Sequence, residues 1–268
     1  MNRLAALWRR RRSLGTVAGD LRTGWRPVRL VGWWVAQQAV ILPYFTIMAH
    51  RSVAAAATRH ALSLVRLEKR LGLFVEPRLV GPARAGWLEW LYFWPHAILL
   101  VGCLPLVLWR RPGYAAFFVL RCWWAMSLGS VAYILFPTAP PRLLPALRLG
   151  GGWFRFPDGL GQVAGGAPSF DLYAAFPSYH VAFAVIVLGA ALACRPGWAA
   201  RLLGCAYVVC ISLVVLLSAN HYLADVLGGL ALGAASGWLA GLSVRAAAWA
   251  RAVGQGRSWA GLAAARAA

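Results

Sequence analysis

Acidic residues are scarce in this chain: 7 Asp and Glu stand against 27 Lys and Arg in 268 residues, a formal net charge of +20. Charge of either sign amounts to only 13% of the sequence, against 61% hydrophobic residues. An ordinary soluble domain carries roughly a quarter charged residues, so a solvated globular surface is excluded. Nearly all the positive charge is arginine, with Lys69 the single lysine. Cysteine is sparse too, and Cys103, Cys122, Cys194, Cys205 and Cys210 all fall inside apolar stretches. They show neither metal-ligand spacing nor a secreted disulfide framework, which leaves them as small apolar core residues. No short apolar stretch with a small-residue cleavage site follows the basic N-terminus, so no cleavable signal peptide is expected and the first spanning helix serves as the insertion signal. Gly150 to Gly152 and Gly165-Gly166 match no nucleotide-binding motif.

What the chain has instead is apolar length. Mean hydropathy is +0.63, and a helix needs about 20 mostly apolar residues to cross a bilayer. Six segments qualify: 28–49, 87–109, 113–136, 177–194, 198–218 and 222–243. The expected fold is all-α, a polytopic transmembrane helical bundle with six spanning helices plus an interfacial amphipathic helix. A basic N-terminal segment (1–27) and a basic C-terminal tail (244–268) flank one membrane domain (28–243). The arginines cluster at the ends of apolar segments with no soluble domain to present them, which excludes a nucleic-acid partner. Attraction to anionic membrane lipid accounts for them better.

Basic residues also set the orientation. Arg9 to Arg12 favour a cytoplasmic N-terminus. Six spans then put Arg110, Arg111, Arg195 and Arg201 in cytoplasmic loops, with Arg245, Arg251, Arg257 and Arg266 in a cytoplasmic tail. The loop 137–176 and the start of the last helix fall on the extracytoplasmic side of the inner (plasma) membrane. One stretch conflicts: 51–85 should lie outside, yet it carries Arg51, Arg59, Arg66, Lys69, Arg70, Arg78 and Arg84. Its 52–74 part alternates basic and apolar residues at helical spacing. That pattern suits an interfacial helix lying on the membrane, partly re-entrant, or equally a solvated surface helix.

Three polar motifs interrupt the apolar background. Pro137-Thr138-Ala139-Pro140-Pro141-Arg142 follows the third span; its prolines end the helix and deliver Arg142 to the membrane surface. A guanidinium suits bidentate grip on phosphate. Phe176-Pro177-Ser178-Tyr179-His180 opens the fourth apolar segment, with proline expected in the first helical turn. Free backbone N–H groups and the Ser178 hydroxyl there make an anion cradle that His180 can face. Ala219-Asn220-His221-Tyr222-Leu223-Ala224-Asp225 opens the last segment. Positions i and i+4 share a helix face, so Asp225 can accept a hydrogen bond from one ring nitrogen of His221 and leave the other free to attack. Ionisable groups at a membrane helix mouth usually have a task. Gly229, Gly233, Gly237 and Gly241 continue below Asp225 as a small-residue stripe for close helix packing, which turns the dyad toward protein. Asn220, Tyr179, Thr138, His96 and Asp171 are further candidates for substrate contact.

Taken in this order, PTAPPR at 137–142, FPSYH at 176–180 and ANHYLAD at 219–225 resemble the motifs of the type 2 phosphatidic acid phosphatase superfamily. Within it they look most like the branch of the fungal inositol phosphorylceramide synthase, the Aur-type inositolphosphotransferases. Arg66-Leu67-Glu68-Lys69-Arg70-Leu71-Gly72-Leu73-Phe74 is similar to a stretch common in bacterial members of that branch. The resemblance spans about 60–240. It implies metal-independent phosphoryl transfer through a phosphohistidine, without cofactor. His221 would be the nucleophile and Asp225 its partner. His180 would be the general acid and then base, and Arg142 and Ser178 would hold phosphate. The implied partners are a lipid phosphate or phosphoinositol lipid and an acceptor. The soluble and lipid-phosphatase branches carry a lysine-containing first motif where this chain has PTAPPR. They also carry an arginine six residues before the nucleophile, where this chain has Val215; both departures point to the Aur-type branch. Two readings stand beside transfer to a lipid hydroxyl. One is hydrolysis with water as acceptor. The other, of a different class, is a haem-binding bundle with His180 and His221 as axial ligands; it leaves Arg142, Ser178 and Asp225 unexplained. A transporter or structural bundle would bind without turnover.

Overall fold

Most helix ends in the computed structural model fall where the sequence supplies a breaker. The structure describes residues 32, 36, 51–74, 91–92, 102–144, 173–195 and 197–254. Helix α1 (Arg51–Arg70) runs into Gly72, which takes a left-handed φ of 66°. A helical stretch at 102–110 leads through the 3-10 turn Pro112–Tyr114 into α2 (Ala115–Leu135), which stops at Phe136-Pro137. The turn Pro141–Leu143 follows. Helix α3 (Tyr179–Cys194) gives way at Arg195 to a short link, then α4 (Trp198–Leu217) and α5 (Leu223–Gly254) complete the bundle.

The described residues are all-helical in character, with a single isolated bridge between Thr138 and Ala174 as the only β-type pairing among them. Among the described residues three helices are long and apolar enough to cross a membrane, Pro112–Leu135, Trp198–Leu217 and Leu223–Ala250, and Tyr179–Cys194 is a shorter apolar helix. At 16 residues, α3 rises about 24 Å, less than the roughly 30 Å hydrocarbon core. It starts after Pro177 rather than with it, because Ser178 is the N-cap. All of the expected span 28–49 except residues 32 and 36, and most of 87–109, lie outside the described residues. Helix α5 continues to Gly254 and carries the start of the expected tail.

Packing follows residue size. Helix α3 packs on α4 and α5, and α2 on α5 and α3. Large apolar side chains point outward, among them Val131, Ile134, Leu135, Leu202, Leu203, Leu213, Leu227 and Trp238. Small residues line the contacts, as expected where lipid removes the hydrophobic drive for helix association and packing replaces it. The glycine stripe of α5 drifts as it descends. A side chain at Gly229 or Gly233 would meet α3, at Ser178 or Val185, whereas one at Gly237 or Gly241 would meet α2, at Arg121 or Phe117. Arg121 is buried between these helices and donates to the carbonyls of Val185 (3.3 Å) and Gly233 (3.0 Å). At the opposite end of α3, Arg111 Nε donates to Ala193 O (2.9 Å), so the start of α2 and the end of α3 share one end of the bundle.

Helix α1 covers the other end. Its small apolar face, Ala57, Ala61 and Val65, is buried with Ala139, Leu144, Ala175, Ala219 and Tyr222. The helix expected to lie along the interface is therefore docked by that face onto protein, with Arg59, Arg66, Lys69 and Arg70 on its outer side.

Candidate active site

The link between α4 and α5 builds the His221 side. Ala219 takes a positive φ of 55° at the end of α4, which turns the chain sharply. The carbonyl of Val215 then receives the N–H groups of both Asn220 (3.2 Å) and His221 (3.1 Å). Asp225, in the first turn of α5, reaches back to accept the Tyr222 N–H at 2.8 Å, the acid half of a capping box. The same oxygen, Oδ2, lies 3.3 Å from His221 Nδ1. A nearer acceptor is the carbonyl of Ala175, 2.8 Å from Nδ1. A carbonyl oxygen can only accept, so Nδ1 carries the hydrogen and the neutral ring keeps Nε2 unprotonated. His221 is 6% exposed and Asp225 0%.

The His180 side opens α3. Ser178 N–H donates to the backbone carbonyl of Asp225 (3.0 Å), and Ser178 O receives Ala182 N–H (3.1 Å). This contact is close enough that a Cβ on Gly229 would sit 2.5 Å from Ser178 O. Ser178 is fully buried, yet its Oγ makes no cap bond and finds no partner among the described residues. A buried hydroxyl without a partner costs stability, and at a helix N-terminus it adds to backbone N–H groups that favour an anion. The His180 ring lies against Tyr92, centroids 3.9 Å apart, and its centroid is 6.3 Å from that of His221. Two imidazoles at that separation are close enough to engage one tetrahedral phosphoryl group from different sides.

A backbone frame holds the motifs together. Thr138 N donates to Tyr173 O (2.8 Å) and Ala175 N to Thr138 O (3.1 Å), which fixes the Ala175 carbonyl that faces His221. Tyr222 Oη donates to Ala139 O (2.9 Å) and Tyr133 Oη to Pro177 O (2.7 Å). From α1, Ala57 O receives Ala139 N (3.2 Å), and His60 Nδ1 donates to Pro137 O (2.8 Å) while its ring stacks on Phe136. Glu68 Oε1 accepts the Ala224 N–H at 2.7 Å. Burial pushes the Glu68 carboxyl above its ordinary pKa, opposed by that hydrogen bond and reinforced by the nearby Asp225.

The structure therefore brings Ser178, His180, Asn220, His221 and Asp225 to one end of the bundle, and Arg142 is the middle residue of the turn Pro141–Leu143 at the same end. Three residues expected to contact substrate also have polar partners within the protein. Tyr179 Oη donates to Met126 O (2.6 Å) and meets Ser130, so it fastens α3 to α2. Thr138 is fully buried, with Oγ1 on Phe136 O (3.0 Å), and Asn220 Nδ2 braces Ser218 Oγ (2.8 Å). His96 and Asp171 lie outside the described residues. Sequence reasoning passed over His60, Glu68, Tyr133, Tyr222 and the Ala175 carbonyl. Glu68 had a signal: with Ala57, Ala61 and Val65 it falls on one helix face. Among the described residues no three His, Cys, Asp or Glu side chains gather as a metal-binding group.

A family model described as the PAP2 superfamily matches residues 62–239, a span that holds Glu68 and all three motifs. No curated protein and no solved structure matches the chain.

Proposed function

The chain belongs to the PAP2 superfamily, and on that premise we propose that it is a membrane phosphotransferase of the Aur-type branch. It moves a lipid-linked phosphate, such as a phosphoinositol headgroup, onto a lipid hydroxyl through a phosphohistidine at His221. The observation that carries this reading is the 2.8 Å approach of His221 Nδ1 to the Ala175 carbonyl, which assigns the ring hydrogen to that nitrogen. Nδ1 is committed to Ala175 O and Asp225, which leaves Nε2 as the nucleophile, with His180 across from it.

In the first half-reaction His221 Nε2 attacks phosphorus, the bond to the leaving oxygen breaks, and His180 gives that oxygen its proton. In the second, His180 takes the proton of the acceptor hydroxyl, the acceptor oxygen attacks phosphorus, and the P–N bond breaks. Ser178 Oγ, the first N–H groups of α3 and Arg142 hold the equatorial oxygens. Positioning and charge stabilisation of this kind supply most of the catalysis in phosphoryl transfer. Asp225 stabilises the positive charge that develops on the His221 ring. No step is routed through a metal or cofactor. The six-span topology, with the site on the extracytoplasmic face of the inner membrane, is part of this proposal.

Hydrolysis shares the first half-reaction. The burial of Ser178, His221 and Asp225 favours an acceptor delivered from the membrane over bulk water. The test is purified protein with phosphatidic acid and phosphoinositol lipids, with and without an added lipid alcohol, beside His221→Ala. Transfer yields a new phosphate ester of the alcohol, a monoester from phosphatidic acid or a diester from the phosphoinositol lipid, that requires both the alcohol and His221; free phosphate or inositol phosphate with no transfer product means hydrolysis. A Soret band in the purified protein would point to haem instead.

A further inference from the structure

We infer that Glu68 is a positioning residue for His221, acting through the first turn of α5; the inference rests on the phosphotransferase reading above. Glu68 is the single acid of a helix otherwise basic on its polar side. It is 4% exposed and sits on the buried face of α1. Its Oε1 takes the N–H of Ala224, a residue 156 positions away. Asp225 takes the N–H of Tyr222. Two acids from distant parts of the chain thus fill the amino end of α5.

The consequence is a division of labour between the two helix N-termini at this end. That of α5 is already satisfied, whereas that of α3 carries the Ser178 hydroxyl, which has no partner among the described residues. The substrate anion is thereby directed to α3, beside His180. Glu68 also fixes the rotation of the turn that carries Asp225. The distance from Asp225 Oδ2 to His221 Nδ1 is 3.3 Å, beyond the usual hydrogen-bond length, so a small rotation of that turn breaks the contact.

The experiment compares Glu68→Gln and Glu68→Asp with the full-length protein in detergent. Gln keeps an oxygen acceptor at the same reach without charge; Asp keeps the charge and withdraws the oxygen by one methylene. Phosphatidic acid and a phosphoinositol lipid serve as donors. Deuterium uptake is read in the peptide that covers 219–226, with α2 peptides as a folding control. Positioning predicts that Asp lowers kcat about 10- to 100-fold with KM within a few-fold, speeds exchange at 222–224 and leaves α2 protected. Gln stays within a few-fold of the parent in both readouts. The opposite order, Asp active and Gln impaired, overturns the inference, as does unchanged exchange in both variants. If the parent protein turns over neither donor, the phosphotransferase reading fails, while exchange at 222–224 still decides whether Glu68 holds the turn.

Discussion

His221 Nδ1 lies 2.8 Å from the carbonyl oxygen of Ala175 and 3.3 Å from Asp225 Oδ2. A backbone carbonyl is the nearer acceptor, and it is held in place by the pairing of Ala175 N–H with Thr138 O. The tautomer of the proposed nucleophile thus depends on the chain fold around the PTAPPR segment as well as on the acid four residues away.

Asp225→Asn follows from this directly. The Ala175 carbonyl keeps Nδ1 protonated in the variant, so the loss is chiefly electrostatic. The expected fall in kcat is about 10- to 1,000-fold, smaller than the ~10⁴-fold loss seen where the same exchange forces the wrong tautomer on a catalytic histidine. A variant as inactive as His221→Ala would show that Asp225 alone sets the ring.

Ser178→Ala separates function from stability. Its hydroxyl has no partner among the described residues, and removing a buried unpaired polar group is neutral or stabilising. Tm is expected to hold or rise, while kcat/KM falls about 10- to 100-fold through loss of a contact to the phosphoryl oxygens. A lowered Tm with unchanged kcat/KM would assign Ser178 to the fold instead.

The glycine stripe gives a matched pair of substitutions. A methyl at Gly229 would lie 2.5 Å from the Ser178 carbonyl, whereas one at Gly241 would have its nearest neighbour, Phe117, at 3.9 Å. Gly229→Ala must push α5 away from α3, at about 1–3 kcal/mol for an overpacked contact, and it separates His221 from His180. Gly241→Ala should be neutral or gain up to about 1 kcal/mol from helix propensity. Thermal unfolding and turnover of the two variants check both signs; equal tolerance at both positions would contradict the packing.

Much of the site was legible before folding, and what was not has a physical reason. The order of Arg142, Ser178, His180, His221 and Asp225, the breakers around α2 and the small-residue stripe are patterns of residue type, which a sequence displays. The Ala175 carbonyl belongs to the backbone and has no residue signature. Tyr179 and Thr138 stand out in the sequence because they lie within the motifs, whereas the bonds of their hydroxyls to Met126 and Phe136 are a partnership only packing decides. The basic polar face of helix α1 is what marks it as interfacial in the sequence. Glu68, on the opposite face, was the sign that this side meets polar groups of the protein.

Glu68 also predicts a pH dependence of stability. Burial raises its folded pKa above the ordinary value of 4.5, so the folded state binds the proton more tightly than the unfolded state. Its contribution is fully present below the unfolded pKa and is lost as pH rises through the folded one. Tm of the parent protein relative to Glu68→Gln should therefore fall as pH rises from about 4.5 into the raised range, then level off. A difference that grows more favourable to the parent over that window would reverse the sign and contradict the burial argument.

The central claim is that phosphate passes through His221. The most direct measurement is a rapid acid-free quench of the protein with phosphate-labelled lipid donor, followed by mapping of the label. The account predicts an acid-labile, base-stable phosphohistidine in the peptide that contains His221, absent from His221→Ala and discharged when a lipid alcohol is added. Turnover that persists in His221→Ala, or label that maps to His180 instead, would contradict it.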